Sequence, residues 1–287
     1  MVLKNTSDLH ANVAIIMSVY INDCLPEVRL AVDSILNQTY SCHLFVIADG
    51  PLKSSVAAYF SQLKSGQNQT KEIQFSFIDR SVNKGLAESL NELIDCVIRS
   101  EIHYKYIGRM DSDDISVSNR IASQVAYLEE NETIDVLGTG CTEFSSSSAE
   151  VFEKSLPQEN SILKRDIIKR CPFIHPSVMF RSAIFEKGVR YPINTKLTED
   201  YAFWVELAAM GYGFGNIPDF LIRYRFDDSV LKRRKGLAKA NSEFLARVDA
   251  MKKLDCLTAR NVFFAFGIWG LRVLPTGIAR IAYQNLR

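Results

Sequence analysis

Between residues 12 and 140, short apolar runs alternate with stretches whose apolar positions recur every three or four residues. "NVAIIMSVY" (12–20) is apolar almost throughout and rich in β-branched residues, which predicts a strand buried on both faces. "LPEVRLAVDSILNQ" follows, with Leu25, Val28, Val32, Ile35 and Leu36 at helical spacing and Pro26 suited to its first turn. "HLFVIADG" (43–50) predicts a second strand that stops at the turn signal Asp49-Gly50-Pro51. A helix within 53–64 and a third strand, "IQFSFIDR" (73–80), come next. Asn83-Lys84-Gly85 opens a helix with Leu86, Leu90, Leu93, Ile94, Val97 and Ile98 along one face. A fourth strand, "YKYIGRM", runs into "DSDD"; helix "NRIASQVAYLEEN" and strand "DVLGTG" (135–140) complete the series.

Strands and helices alternating at this spacing predict an α/β fold, a mostly parallel sheet covered by helices on both faces. Ligands of such sheets bind beyond the carboxyl ends of the strands. Tyr20, Asp49, Arg80 with Asn83, and Asp111 with Asp113 all fall at those ends. After about residue 145 the pattern loosens. "SSSSAE" reads as a polar loop, "CPFIHPSVMF" as a strand approached by a turn, and "LTEDYAFWVELAAMG" as a helix with Thr198 near its start. No clean linker interrupts the chain, so 1–230 is expected to be one catalytic domain and 231–287 a helical tail.

Charge changes the picture of that tail. Residues 220–287 carry 14 Lys and Arg against 5 Asp and Glu, whereas the rest of the chain carries 20 against 28. A basic tail on an acidic body suits a membrane surface or phosphate groups, with solvated charge as the bland alternative. The block from Val262 to Leu274 is too short for a bilayer, which takes roughly 20 apolar residues. With Trp269, several Phe, Arg272, Arg280 and Arg287 it suits an interfacial helix, or else one packed on the domain. Six scattered cysteines without metal-ligand spacing, and no secretion signal in the first twenty residues, predict a reduced cytosolic setting.

Three carboxylates within four positions, Asp111, Asp113 and Asp114, repel one another. One reading has Asp113 or Asp114 capping the next helix while Asp111 is solvated. The other has the cluster holding a hard divalent cation, Mg2+ or Mn2+, against a diphosphate. Asp49 either forms its turn or accepts the imide N–H of a uracil ring. Asp200 in "TEDYAFW" either favours the start of its helix or acts as a general base toward a hydroxyl. His175 could line an acceptor site or be structural. Arg223 and Arg225, with Lys232, Arg233 and Arg234, could pair with diphosphate oxygens or face water.

Taken in order, the pieces resemble family 2 glycosyltransferases of GT-A fold, in particular bacterial enzymes of the amylovoran, O-antigen and exopolysaccharide type. "IIMSVYIND", "ADGP", "NKGLAESLN", "GRMDSDD", "HPSVMFR", "TEDYAFW" and "YRFDDSVLKRR" appear in register over roughly 12–235. Ser18 replaces a frequent proline, Asp49 is the sole acid at its motif, and the QxxRW signature of processive synthases is absent. The resemblance implies a UDP-sugar donor with Tyr20 and Asp49 on the base, and Asn83 and Arg109 nearby. It implies Asp111 on ribose or metal, Asp113 as the main ligand of Mn2+ or Mg2+, and Asp200 as catalytic base. His175, Glu199, Arg223 and Arg225 would serve the acceptor or diphosphate. The reaction would invert the anomeric centre, moving galactose or glucose to a polyprenyl-diphosphate-linked saccharide, with GlcNAc and a β1,3 bond as the favoured acceptor and linkage. The enzyme would sit in the cytoplasm, peripheral on the anionic inner face of the inner membrane, with no nucleic-acid partner. Rival readings are a glycoside hydrolase using Asp111 and Asp200, and a catalytically silent sugar- or nucleotide-binding protein at the membrane. A nucleotidyltransferase would need an early Gly-rich phosphate loop, and none is present.

Overall fold

The computed structural model describes residues 12–66, 74–145, 148–195, 198–227 and 236–273. In chain order its elements are β1 (Val13–Val19), α1 (Leu25–Leu36), β2 (His43–Ala48), α2 (Ser54–Lys64), β3 (Phe75–Asp79), α3 (Leu86–Ile98), β4 (Tyr106–Asp111), β5 (Ile115–Ser116) and α4 (Arg120–Glu130). Then come β6 (Val136–Ser145), β7 (Ser148–Lys154), α5 (Asn160–Arg165), a 3-10 turn (His175–Ser177), β8 (Met179–Arg181), α6 (Ala183–Glu186), α7 (Glu199–Ala209), β9 (Phe214–Arg225), α8 (Leu237–Lys253) and α9 (Ala259–Val273). They form two compact units, one of residues up to Ala126 plus Met179–Val189, the other of Tyr127–Val178 plus the residues from Arg190 onward.

In the first unit β3, β2, β1 and β4 lie side by side, all parallel, and β8 pairs antiparallel with β4. β1 is buried along its whole length except for half-buried Ser18, because helices cover both faces of a parallel sheet. α1 buries Val28, Ala31, Val32 and Ile35, and α3 buries Leu90, Leu93, Ile94 and Val97, each a stripe at helical spacing. Each buried Val, Leu or Ile in these stripes contributes about 1.5–3 kcal/mol relative to exposure. An Asp at Ile15, which is fully buried in β1, would therefore break this sheet first. The expected strands and helices of 12–111 are present, with ends shifted by one to three residues.

The second unit contains β6 paired antiparallel with β7 and parallel with β9. "SSSSAE" is therefore not simply a loop. β6 runs to Ser145 and β7, which pairs back on it, starts at Ser148; residues 146 and 147 lie outside the described set. α7 buries Tyr201, Phe203, Trp204, Val205 and Leu207, and Phe173 meets the Trp204 ring edge-on at 5.0 Å. α8 packs on α7 and carries α9.

Candidate active site

The parallel register brings three strand ends level. Ser18 on β1 pairs with Ile47 on β2 and with Asp111 on β4, so Tyr20, Asp49 and the acidic turn leave one edge together. Arg80 leaves the same edge from β3.

Asp49 is almost closed off from solvent and its carboxylate already has three partners. Oδ1 accepts Lys84 N at 2.8 Å, Oδ2 accepts Gly85 N at 3.0 Å, and the Arg80 guanidinium forms an ion pair with Oδ1. Arg80 is held in turn by Glu92 and Ser89. A carboxylate offers about four lone pairs, so one is left for an arriving imide N–H. The turn role and the base-binding role of Asp49 are thus compatible. Exposed Asn83 donates Nδ2 to the Asp49 carbonyl at 3.0 Å. Gly50 (φ +82°) is required here, since a Cβ would lie 2.8 Å from Asn83 N. Gly85 (φ +91°) starts α3 in a conformation other residues adopt only with strain.

The acids that follow β4 form one cluster: a carboxylate oxygen from each of Asp111, Asp113 and Asp114 lies within 4.8 Å of the others. Asp111 and Asp113 are half-buried and Asp114 is buried. The helix-cap reading fails here, because α4 starts at Arg120, six positions beyond Asp114. Hard oxygen donors at this spacing fit Mg2+ or Mn2+. Arg109, itself buried, forks onto both oxygens of Asp111, one bond being 2.8 Å. Arg109 therefore reaches the site through Asp111. Behind it, fully buried Arg120 donates to the Arg109 carbonyl at 2.8 Å and to Gln124 at 3.0 Å. Burial, then the Arg109 charge, lower its pKa to about 9, and Cys42 and Asp114 pull it back up.

Sequence reasoning missed Asp23. Its Oδ2 accepts Tyr20 N at 3.0 Å and Ser112 Oγ at 2.8 Å, tying the exit of β1 to the middle of the acidic turn. Burial pushes its pKa up to about 6 against the pull of those two bonds, with Asp111 and Glu27 raising it further.

The later candidates lie in the second unit. Asp200 and Glu199 occupy the first turn of α7, both half-buried, and Thr198 stands at the N-cap position without a capping side-chain bond. Asp200 Oδ1 accepts its neighbour's Tyr201 N at 2.7 Å. His175 Nε2 lies 3.1 Å from the Tyr191 hydroxyl, and its ring meets Trp204 edge-on. Arg223 and Arg225 both lie over the Phe144 ring, at 5.1 and 4.8 Å. Lys232, Arg233 and Arg234 lie outside the described residues.

Clustered acids at the carboxyl edge of a parallel sheet put the ligand site of this α/β fold at that edge. Residues 14–188 match the profile "Glycosyl transferase family 2", and the chain belongs to that family. It is 29% identical over 244 residues to "UDP-Gal:alpha-D-GlcNAc-diphosphoundecaprenol beta-1,3-galactosyltransferase" of Escherichia coli, covering 84% of each chain. It is 22% identical over 276 residues to "Amylovoran biosynthesis glycosyltransferase AmsE" of Erwinia amylovora, covering 96% of this chain and 98% of that one. Among solved structures, it is similar to mannosyltransferase PcManGT of Pyrobaculum calidifontis, in complex with GDP-Man and Mn2+. The TM-score is 0.60 at 14% identity, over 96% of this chain and 79% of that one. The fold is GT-A-like, as expected, and the protein is a glycosyltransferase.

Proposed function

We propose that the protein transfers a hexose, galactose or glucose, from a UDP-sugar to a lipid-diphosphate-linked saccharide, with inversion, in the synthesis of a bacterial surface polysaccharide. The cluster of Asp111, Asp113 and Asp114 at the carboxyl edge of the sheet carries this reading. The Escherichia coli relative, named for a UDP-Gal donor and a GlcNAc-diphosphoundecaprenol acceptor, supports GlcNAc as acceptor sugar and a β1,3 bond.

In this reaction the acceptor oxygen bonds to the anomeric carbon as the bond from that carbon to the diphosphate breaks, and UDP departs. Tyr20 and Asp49 hold the base, with Asn83 beside them. Asp111 and Asp113 would hold Mn2+ or Mg2+, which when bound draws charge from the departing diphosphate. Arg109 orients Asp111. Asp200 takes the proton of the acceptor hydroxyl, while His175, Glu199, Arg223 and Arg225 serve the acceptor or its diphosphate. Residues 1–230 are the catalytic part, and 231–287 hold the enzyme at the cytoplasmic face of the membrane.

The test is a panel of UDP-galactose, UDP-glucose and UDP-GlcNAc with a GlcNAc-diphosphate-lipid acceptor, read by product mass and by NMR of the new linkage. One hexose added in β linkage, with UDP released and activity lost on chelation, is expected. Cleavage of a glycoside in EDTA without any nucleotide would favour a hydrolase instead.

A further inference from the structure

The second unit carries a surface for which the transfer reaction has no use. A groove of about 900 Å3 has Lys164, Arg165 and Lys169 on one side and Arg260 and Asn261, in the first turn of α9, on the other. An aromatic ridge borders it. Lys169 Nζ lies 5.7 Å from the centre of the Phe264 ring, which joins the basic wall to α9. Next to it Phe263 is 78% exposed, Phe266 is 56% exposed while leaning on Phe244, and Leu257 before α9 is 60% exposed.

The charge beside this ridge is positive after its own acids are counted. Asp166 is shared by Arg165 and Lys169, Glu206 lies 3.8 Å from Lys253, Asp135 acts on Lys164, Asp255 acts on Cys256, and Asp249 stands one helical turn before Lys252 and Lys253. Against these five stand Lys164, Arg165, Lys169, Lys252, Lys253 and Arg260. Interface cores between proteins are depleted of lysine and other charged groups, whereas exposed Phe flanked by Lys and Arg is the pattern of a helix lying in a lipid headgroup layer.

We propose that this face seats the protein on an anionic bilayer. Phe263 and Leu257 enter the boundary between headgroups and acyl chains, while Arg260, Lys169 and Arg165 meet lipid phosphates. The proposal rests on the peripheral location given above and assigns it to residues 164–169 and 252–266. It does not depend on the donor site.

Cosedimentation of the full chain with phosphatidylglycerol–phosphatidylcholine vesicles tests it, against pure phosphatidylcholine. Binding only to the mixed vesicles, weakened by salt, is expected. Phe263→Ser and Arg260→Glu should each lower partitioning about fivefold or more. Val151→Ser, which removes an exposed apolar side chain on β7, should leave it unchanged. UDP binding, unchanged in all three variants, checks that each is folded; absence of UDP binding in the wild type would count against the donor-site reading and leave the vesicle result standing. The proposal is overturned if both surface variants partition like the wild type, if the wild type stays in solution, or if light scattering shows a dimer that Phe263→Ser splits.

Discussion

Two charge clusters in this chain have opposite stoichiometry. On α8, the Glu243 carboxylate is met by three cations: Arg272 at 3.1 Å, Lys239 at 3.4 Å and Arg247 at 3.5 Å. Arg247 is further fixed by the Ile168 carbonyl and lies over the Tyr201 ring. Burial alone would raise the pKa of Glu243, but the three cations outweigh it and the carboxyl ends up lowered. At the end of β4 the balance reverses. Asp111, Asp113 and Asp114 lie together with Asp23 beside them. Arg109 pairs with Asp111, Arg120 stands behind Arg109, Lys53 donates to the Asp23 carbonyl at 2.9 Å, and Asp23 is pushed up to about 6. The first cluster satisfies its one carboxylate internally, with positive charge in excess, and holds α7, α8 and α9 together. The second has an excess of negative charge at the edge of a sheet, which suits a cation and a diphosphate from outside.

The largest effect expected from breaking this contrast is at Asp113. Asp113→Ala should lower hexose transfer about a thousandfold, in the range for removing a group that stabilises developing charge. Its melting temperature should stay within a few degrees of wild type. A variant that unfolds instead would make the cluster structural. The converse holds for Glu243→Gln, which leaves three cations facing a neutral group. It should cost about 3 kcal/mol in urea unfolding, with UDP binding at low denaturant unchanged.

Acid should separate the two clusters as well. The folded pKa of Glu243 lies below its usual 4.5, so the unfolded chain binds the proton more readily. Its contribution to stability is therefore complete above pH 4.5 and is lost as pH falls below that value. Unfolding of Glu243→Gln followed over the same range should lack this loss; an identical slope in both proteins would contradict the network. The smallest effect is at Asp23. Asp23→Asn keeps an oxygen for Tyr20 N and Ser112 while removing a buried charge beside Asp111. It should gain about 1 kcal/mol at neutral pH and weaken Mn2+-dependent UDP binding less than tenfold. Lower stability would mean that the charge itself holds the turn.

The first unit was largely readable from the pattern of apolar positions, because doubly covered strands such as β1 and β2 carry almost no polar residues. The convergence of Tyr20, Asp49 and Asp111 followed from parallel order alone. Asp23 was not readable: its role depends on Ser112, 89 positions away, and "INDCLP" has no periodicity. α8 was expected only as part of a helical tail; its packing was not readable, because its buried face includes Glu243 and Arg247, which any hydrophobic pattern scores as solvent-facing. β9 was missed where Gly215 and Pro218 interrupt it, beside the register shifts opposite Thr139 and Gly140. In β7, a start within a serine-rich run hid the return strand of a hairpin.

The central claim is that the acidic turn after β4 is a cation-assisted diphosphate site. Calorimetric titration of UDP into the wild type, first with Mn2+ and then with EDTA, tests it most directly, with Asp113→Ala alongside. Saturable binding with Mn2+ that disappears both in EDTA and in the variant is the predicted result. UDP binding of equal strength in all three conditions would contradict the claim, and so would its absence from all three when GDP and dTDP also fail to bind.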